Sequence, residues 1–295
     1  MIDQYGKIFK EIRLNKGMSI EKLSDYSNNL SVENSISKSG ISKFENENSN
    51  ISLPRLSNLL NVLNMSIEEF AMYAQEIENP MGNDLNDIAI AFKKEEIHSL
   101  HFLSKSYKLH ADIIPRNKHM YIFCEALIKR LNNGTIDNGL IDEIIKYLQN
   151  IDHWHFYELT LFTNTMFLFE PEIIDFLLSR ASKRMNEYKR LSYHYDYEAI
   201  MLSNAVTYFL EINHLAYANK YLGVLGKYLQ KNPRAVFEKL RFRFLLGLNT
   251  FKSEDTNKGI SMMKEVISQL KSLDLEEDAI RFEHYLKNQL LKKDS

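Results

Sequence analysis

The stretch Ser37–Glu45, Ser-Lys-Ser-Gly-Ile-Ser-Lys-Phe-Glu, holds the residues best suited to chemistry on another molecule. Lys38 and Lys43 can donate to guanine O6 or N7, and Ser39 and Ser42 can donate or accept. Ile41 and Phe44, three apart, would anchor one side of a short helix and leave those four polar residues on its other faces. Lysines are common on any surface helix, so a plain solvated face is the competing reading. Upstream, Ser19-Ile-Glu-Lys-Leu-Ser-Asp-Tyr26 reads as another short amphipathic helix, capped by Ser19 with Leu23 turned inward. Two such helices in succession, the second opening with hydroxyl residues and lysines, have the pattern of a helix-turn-helix that reads DNA.

Other chemistry lacks its residues. His153 and His155 are two apart, which points them to different faces of a helix, and no carboxylate or cysteine completes a site with His98 and His101. Glycine-rich phosphate loops, nucleophile elbows and paired catalytic acids are missing. The expectation is therefore no metal, no cofactor and no enzymatic activity. Cys124 is the single cysteine, set in the apolar run Tyr-Ile-Phe-Cys-Glu-Ala-Leu-Ile, and reads as core. Without an intrachain disulfide, a signal peptide or an apolar run near the length of a membrane span, the chain reads as soluble and cytoplasmic.

At 295 residues, 44% of them hydrophobic, the chain can fill two domains. Only 10 glycines and 5 prolines occur, which favours long helices over many-stranded sheets. Net charge is −2, and residues 1–60 hold eight cations against seven anions, so a DNA-binding face must come from placement and not from excess charge.

Several elements would position the lysines. Ile8, Ile12 and Leu14 give a first helix its apolar side, and Lys16-Gly17 ends it. Ser52 caps a fourth helix with Pro54 in its first turn and Leu56, Leu59, Leu60 and Leu63 as its buried stripe. Ser66-Ile-Glu-Glu69 is a capping box that opens a fifth. Asn28 to Ile36 makes the connection before the lysine-bearing helix longer than the usual three or four residues.

Asn79-Pro80-Met81-Gly82-Asn83 reads as a linker. Beyond it, helical spacing predicts ten helices: 84–110, 116–132, 137–150, 154–169, 171–188, 191–212, 214–230, 234–251, 255–273 and 275–292. Short connections and about forty residues per pair indicate stacked antiparallel hairpins, tetratricopeptide-like around Ala216–Tyr221 and Gly259–Ile267. The fold class expected is all-α, a five-helix helix-turn-helix domain followed by an α-solenoid. A solenoid curves into a concave groove suited to an extended peptide. Asn164, on one helix with Tyr157, and Asn204, on another with Tyr208, are either groove residues or satisfied interhelical hydrogen bonds. Arg241 and Arg243 either pair with a peptide carboxylate or lie on a solvated face. Of the aromatics Trp154, Phe156, Tyr157, Phe162, Phe167, Phe169, Tyr193, Tyr195 and Tyr197, most should be core.

Four segments carry a family resemblance: Lys10–Ser19, Ser39–Glu45, Ile51–Leu56 and Asn64–Phe70. Together with a helical region of this length they resemble the Rgg/GadR/MutR transcriptional regulators, within the peptide-pheromone-responsive class of low-GC Gram-positive bacteria. The resemblance implies a DNA-binding domain at 1–78, a linker at 79–83 and a peptide-binding and dimerising repeat domain at 84–295. It places Lys38, Ser39, Ser42 and Lys43 at base edges and adjacent phosphates, and Lys10, Arg13 and Lys16 near the DNA backbone. It further implies a homodimer on double-stranded promoter DNA and a short hydrophobic signalling peptide near Tyr157, Asn164, Asn204, Tyr208, Arg241 and Arg243. Glu47 departs from the glycine usual in such sequences, leaving Asn46 or Asn48 to take the left-handed turn. A protein-interaction scaffold, or a DNA-binding repressor without a peptide ligand, are the alternative readings.

Overall fold

The structure, a computed structural model, describes residues 5–75, 80–188, 197–253 and 255–294. It is 79% helical, with sixteen α-helices and no strand among the described residues. The chain divides into two compact units, Met1–Lys94 and Glu95–Ser295.

The first unit holds α1 (Tyr5–Asn15), α2 (Ile20–Leu30), α3 (Lys38–Glu45), α4 (Leu53–Val62), α5 (Ile67–Gln75) and α6 (Pro80–Lys93). Phe9, Ile12, Leu23, Ile41, Phe44, Leu59, Leu60, Leu63 and Phe70 form one core drawn from α1 to α5. Burying a side chain such as Phe9 is worth roughly 2–3 kcal/mol, so this cluster is what holds short helices in place. Leu14, expected on the buried side of α1, is 56% exposed, and Phe9 fills the core instead. A helix places i and i+3 or i+4 on one face, and Ile8, Phe9 and Ile12 share it, while Leu14 falls outside. Ser19 accepts from the Lys22 amide, and Ser66 and Glu69 bond each other's backbone N–H groups as a capping box. Pro80 to Asn83, expected as linker, open α6 instead. The proline sits at the start of that helix, where its missing N–H leaves no bond unmade. The helix expected over 84–110 is broken in two after Lys93, with Glu95 in the left-handed region at φ 56°. No glycine or proline marks this break, and a glutamate there carries no sequence signal.

The second unit runs through α7 (Ile97–Lys108), α8 (Pro115–Leu131), α9 (Asn138–Asn150), α10 (Phe156–Thr165), α11 (Pro171–Tyr188), α12 (Tyr197–Glu211), α13 (Leu215–Lys231), α14 (Val236–Ser253), α15 (Thr256–Ser272) and α16 (Glu276–Asp294). Residues 191–196 of the helix expected at 191–212, including Tyr193 and Tyr195, lie outside the described residues. Helices pack on their chain neighbours, α7 on α8, α12 on α13, α14 on α15 and α15 on α16, and α12 also packs on α14. That is the stacking of an α-solenoid of tetratricopeptide-like hairpins. Asn133, Asn213 and Asp274 adopt positive φ just past helix ends, where a short polar side chain tolerates the left-handed turn. At the α14–α15 crossing a Cβ on Gly259 would lie 2.4 Å from the Phe251 nitrogen, so only glycine lets these backbones approach. Trp154, Phe162 and Phe169 are core as expected, with the Trp154 indole donating to the Leu148 carbonyl at 3.0 Å, whereas Phe156 is exposed.

Candidate functional site

Three devices fix α3. Ser37 caps it by accepting from the Gly40 amide at 3.2 Å, and Ile41 and Phe44 pin it to the core. A Cβ on Gly6 would lie 2.0 Å from the Phe44 carbonyl oxygen, so glycine there lets α1 close on the end of α3. The C-terminus is a Schellman motif, with the Glu47 amide bonded to the Phe44 carbonyl at 2.9 Å and the Asn48 amide to the Lys43 carbonyl at 2.8 Å. Its left-handed residue is Glu47 itself, at φ 59°, and not Asn46 or Asn48. One carboxylate oxygen of Glu47 meets Lys7 at 3.4 Å.

With α3 held this way, Lys38, Ser39 and Lys43 are exposed and Ser42 is half-buried. Asn46 donates to the Ser42 carbonyl at 2.9 Å and accepts from Lys10 at 3.4 Å, which brings Lys10 to the C-terminal end of the same face. Lys38 is ion-paired with Glu21 of α2. Arg13 is not on this surface. It is 4% exposed, and its guanidinium meets both Glu45 carboxylate oxygens and the Met18 carbonyl, so it is an internal strut and not a surface cation. Hydrogen bonding to Glu45 raises its pKa above the ordinary value. The excursion Asn28–Ile36 is tied to its neighbours, the Ser24 hydroxyl donating to the Ile36 carbonyl at 2.9 Å. Helix α2 takes its first residues, and buried Asn58 donates to the Ser27 carbonyl, the Ser27 hydroxyl and the Asn34 carbonyl at 2.9–3.1 Å. Glu21 and Asn58 support this surface without having been singled out, and Asn46 was read only as a turn residue. Only Glu21 left a trace, as an acid at the start of one motif helix beside a lysine at the start of the other.

In the repeat unit, Arg241 donates to the Asn204 side-chain oxygen at 2.6 Å, joining α14 to α12. Arg241 lines a cleft of about 320 Å³ with Thr207, Phe237, Phe244, Leu245, Arg281, Phe282 and Tyr285. Burial presses its pKa down, Glu238 opposes this and Arg281 adds to it. A largely buried guanidinium among phenyl rings is a place for an anion attached to an apolar group. A second cleft of about 390 Å³ is lined by Lys129, Arg130, Ile141, Phe167, Tyr208 and Glu211, among others. Glu211 bridges the two, 3.8 Å from Arg130 of α8 and accepting from Tyr285 of α16 at 3.3 Å. The structure thus brings Asn204 and Arg241 together and sets Tyr208, whose hydroxyl donates to the Phe169 carbonyl at 3.0 Å, in the neighbouring cleft.

Tyr157 and Asn164 line neither cleft. The Tyr157 hydroxyl lies 2.6 Å from Nδ1 of buried His119 and Asn164 donates to the Thr160 carbonyl of its own helix at 2.8 Å. Arg243 is exposed, since a helix turns residues two apart to different sides. Thr207 was overlooked although it lies three residues after Asn204 and so shares its face. Tyr285 and Arg281 had no such local signal.

Among known proteins, the family described as "HTH-type transcriptional regulator Rgg, C-terminal domain" matches residues 100–284, and a helix-turn-helix family matches residues 9–70. A candidate transcriptional regulator from Listeria monocytogenes EGD-e has a similar fold, with TM-score 0.82, 20% identity and coverage of 100% of this chain and 99% of that one. The Streptococcus dysgalactiae SHP pheromone receptor Rgg2 gives 0.73 at 18% identity, covering 97% and 99%. Bacillus thuringiensis PlcR, solved with the peptide PapR7 and DNA, gives 0.59 at 13% identity, covering 96% and 99%. Because the Rgg match spans more than half its length behind a helix-turn-helix unit, the chain belongs to the Rgg family of HTH-type transcriptional regulators.

Proposed function

We propose that this regulator reads promoter DNA through the exposed face of α3, and that a short apolar peptide held by the repeat unit changes its affinity for that DNA. Lys38, Ser39 and Lys43 offer donors on a rigid helix, with Ser42 beside them and Lys10 at its end for the phosphate backbone. A single such helix reads one half-site, so a homodimer supplies the second. Its place is the cytoplasm, where the promoter is.

The observation that carries the peptide half is Arg241 in a cleft walled by Phe237, Phe244 and Phe282, held from behind by its 2.6 Å bond to the Asn204 side-chain oxygen. Arg241 takes the peptide's terminal carboxylate and the phenyl rings its last apolar side chain, while Asn204 holds the guanidinium in place. Structural neighbours known as a pheromone receptor and as a peptide–DNA complex support the reading. For the peptide to regulate, it must bind two conformers of the repeat unit with different affinity. The test is isothermal titration of the full chain with synthetic peptides encoded by short reading frames beside its gene, with promoter affinity measured before and after. Heat of binding and a shifted affinity are expected; no heat and an unchanged affinity would overturn the peptide half.

A further inference from the structure

Glu21 and Lys38 form an ion pair between the first turns of the two motif helices, and both side chains are more than half exposed. An exposed pair contributes little stability, so folding gives no strong reason to hold it. Its position is the informative point. Lys38 is the first residue of α3 and Glu21 the second of α2, so a carboxylate stands at the surface that the proposed reading lays against DNA.

Resting on that reading, we propose that Glu21 is a specificity-determining residue: it presents the Lys38 ammonium to a guanine edge and keeps it off the phosphate backbone. An ammonium has three donors, and one on Glu21 leaves two for guanine O6 and N7. Those base atoms carry only partial negative charge, so Glu21 repels them far less than it repels a phosphate. A phosphate approaching the same ammonium meets the Glu21 carboxylate at short range, and the nearby Asp25 adds to that field. The pair therefore penalises sequence-independent contact more than base contact. Hydrogen bonding to Lys38 lowers the Glu21 pKa, so the carboxylate is charged throughout the neutral range.

The test uses the full chain, a duplex that the wild type enriches from a random pool, and the random pool itself. Glu21→Gln is expected to tighten binding to the pool by about fivefold at physiological salt, the gain from one added phosphate contact. The log–log salt slope should steepen by about 0.9 for the same reason. Affinity for the enriched duplex should rise less, and a repeat selection should lose a guanine. In a Lys38→Ala background the same change should leave the ratio of the two affinities alone. Thermal melting by circular dichroism should be unchanged, since both groups are exposed. Equal tightening on both duplexes, or no change on either, overturns the proposal. A wild type that enriches no sequence removes the DNA reading itself, and the proposal with it, before any substitution is made.

Discussion

Arg13 and Glu45 meet in parallel, Nε to Oε1 at 2.5 Å and Nη2 to Oε2 at 2.8 Å, tying α1 to the last turn of α3 from inside the core. With both side chains 5% exposed or less, removing one partner strands a buried charge. Arg13→Ala should lower the stability of the N-terminal unit by roughly 3–5 kcal/mol, read by chemical denaturation. Replacing both with apolar residues, Arg13→Met with Glu45→Leu, should recover most of the loss. The double variant should keep the wild-type salt slope for DNA; a slope shallower by about 0.9 would mean that Arg13 contacts phosphate after all.

Glu47 occupies the left-handed position of the α3 Schellman motif, where a side chain crowds the backbone. Glu47→Gly should remove that strain and stabilise the unit by about 1 kcal/mol, less whatever the Lys7 contact supplies. Denaturation midpoints of the two proteins decide it, and a destabilised variant would show that the ion pair outweighs the backbone.

Lys43 is exposed and, among the described residues, makes no ion pair, unlike Lys38. Its ammonium is therefore free to meet phosphate. Lys43→Ala should weaken binding to all duplexes alike and make the salt slope shallower by about 0.9, with sequence preference kept. Lost preference at one base pair, with the slope unchanged, would assign Lys43 to base reading instead.

Local signals in the chain carried some of this architecture. Ile41 and Phe44 at helical spacing and the Ser66–Glu69 box act within one turn, and each forms as expected. What escaped depends on distant partners. Arg13 looked like a surface cation because nothing in its neighbourhood announces Glu45, 32 residues away. Tyr157 and Asn164 read as candidate groove residues because a phenol and an amide on an apolar helix look the same whether the partner is a ligand or, as here, His119 and the Thr160 carbonyl. Glu211 meets Tyr285 across 74 residues, a contact that exists only once the hairpins stack.

His119 is 5% exposed and pushed down to about 4 by burial, against the pull of Glu143 and Glu158 and helped by Lys118. The unfolded chain protonates this residue near 6.5, the native state only near 4. Its contribution is thus complete above 6.5 and is lost as pH falls from there towards 4, by at most ~3 kcal/mol. His119→Gln keeps a hydrogen-bonding group for Tyr157 without a titration, so its stability should vary less between pH 6.5 and 4 than that of the wild type. Parallel pH profiles for the two proteins would assign the acid sensitivity to other groups.

Arg241 gives the sharpest test of the peptide site, because its proposed partner can be edited on the ligand instead of the protein. If the guanidinium binds the terminal carboxylate, amidating the peptide's C-terminus and substituting Arg241→Met remove the same interaction from opposite sides. A hydrogen-bonded charge pair of this kind is worth ~2 kcal/mol, about thirtyfold in affinity. Each change alone should cost about that much, and the two together little more than either, because the interaction can be lost only once. Asn204→Ala should weaken the free-acid peptide more than the amidated one, since losing its 2.6 Å bond loosens Arg241. Titration of the four protein–peptide combinations measures the coupling directly. Additive losses would place the carboxylate elsewhere in the unit, with Arg130 and Lys129 of the adjoining cleft the next cations to examine.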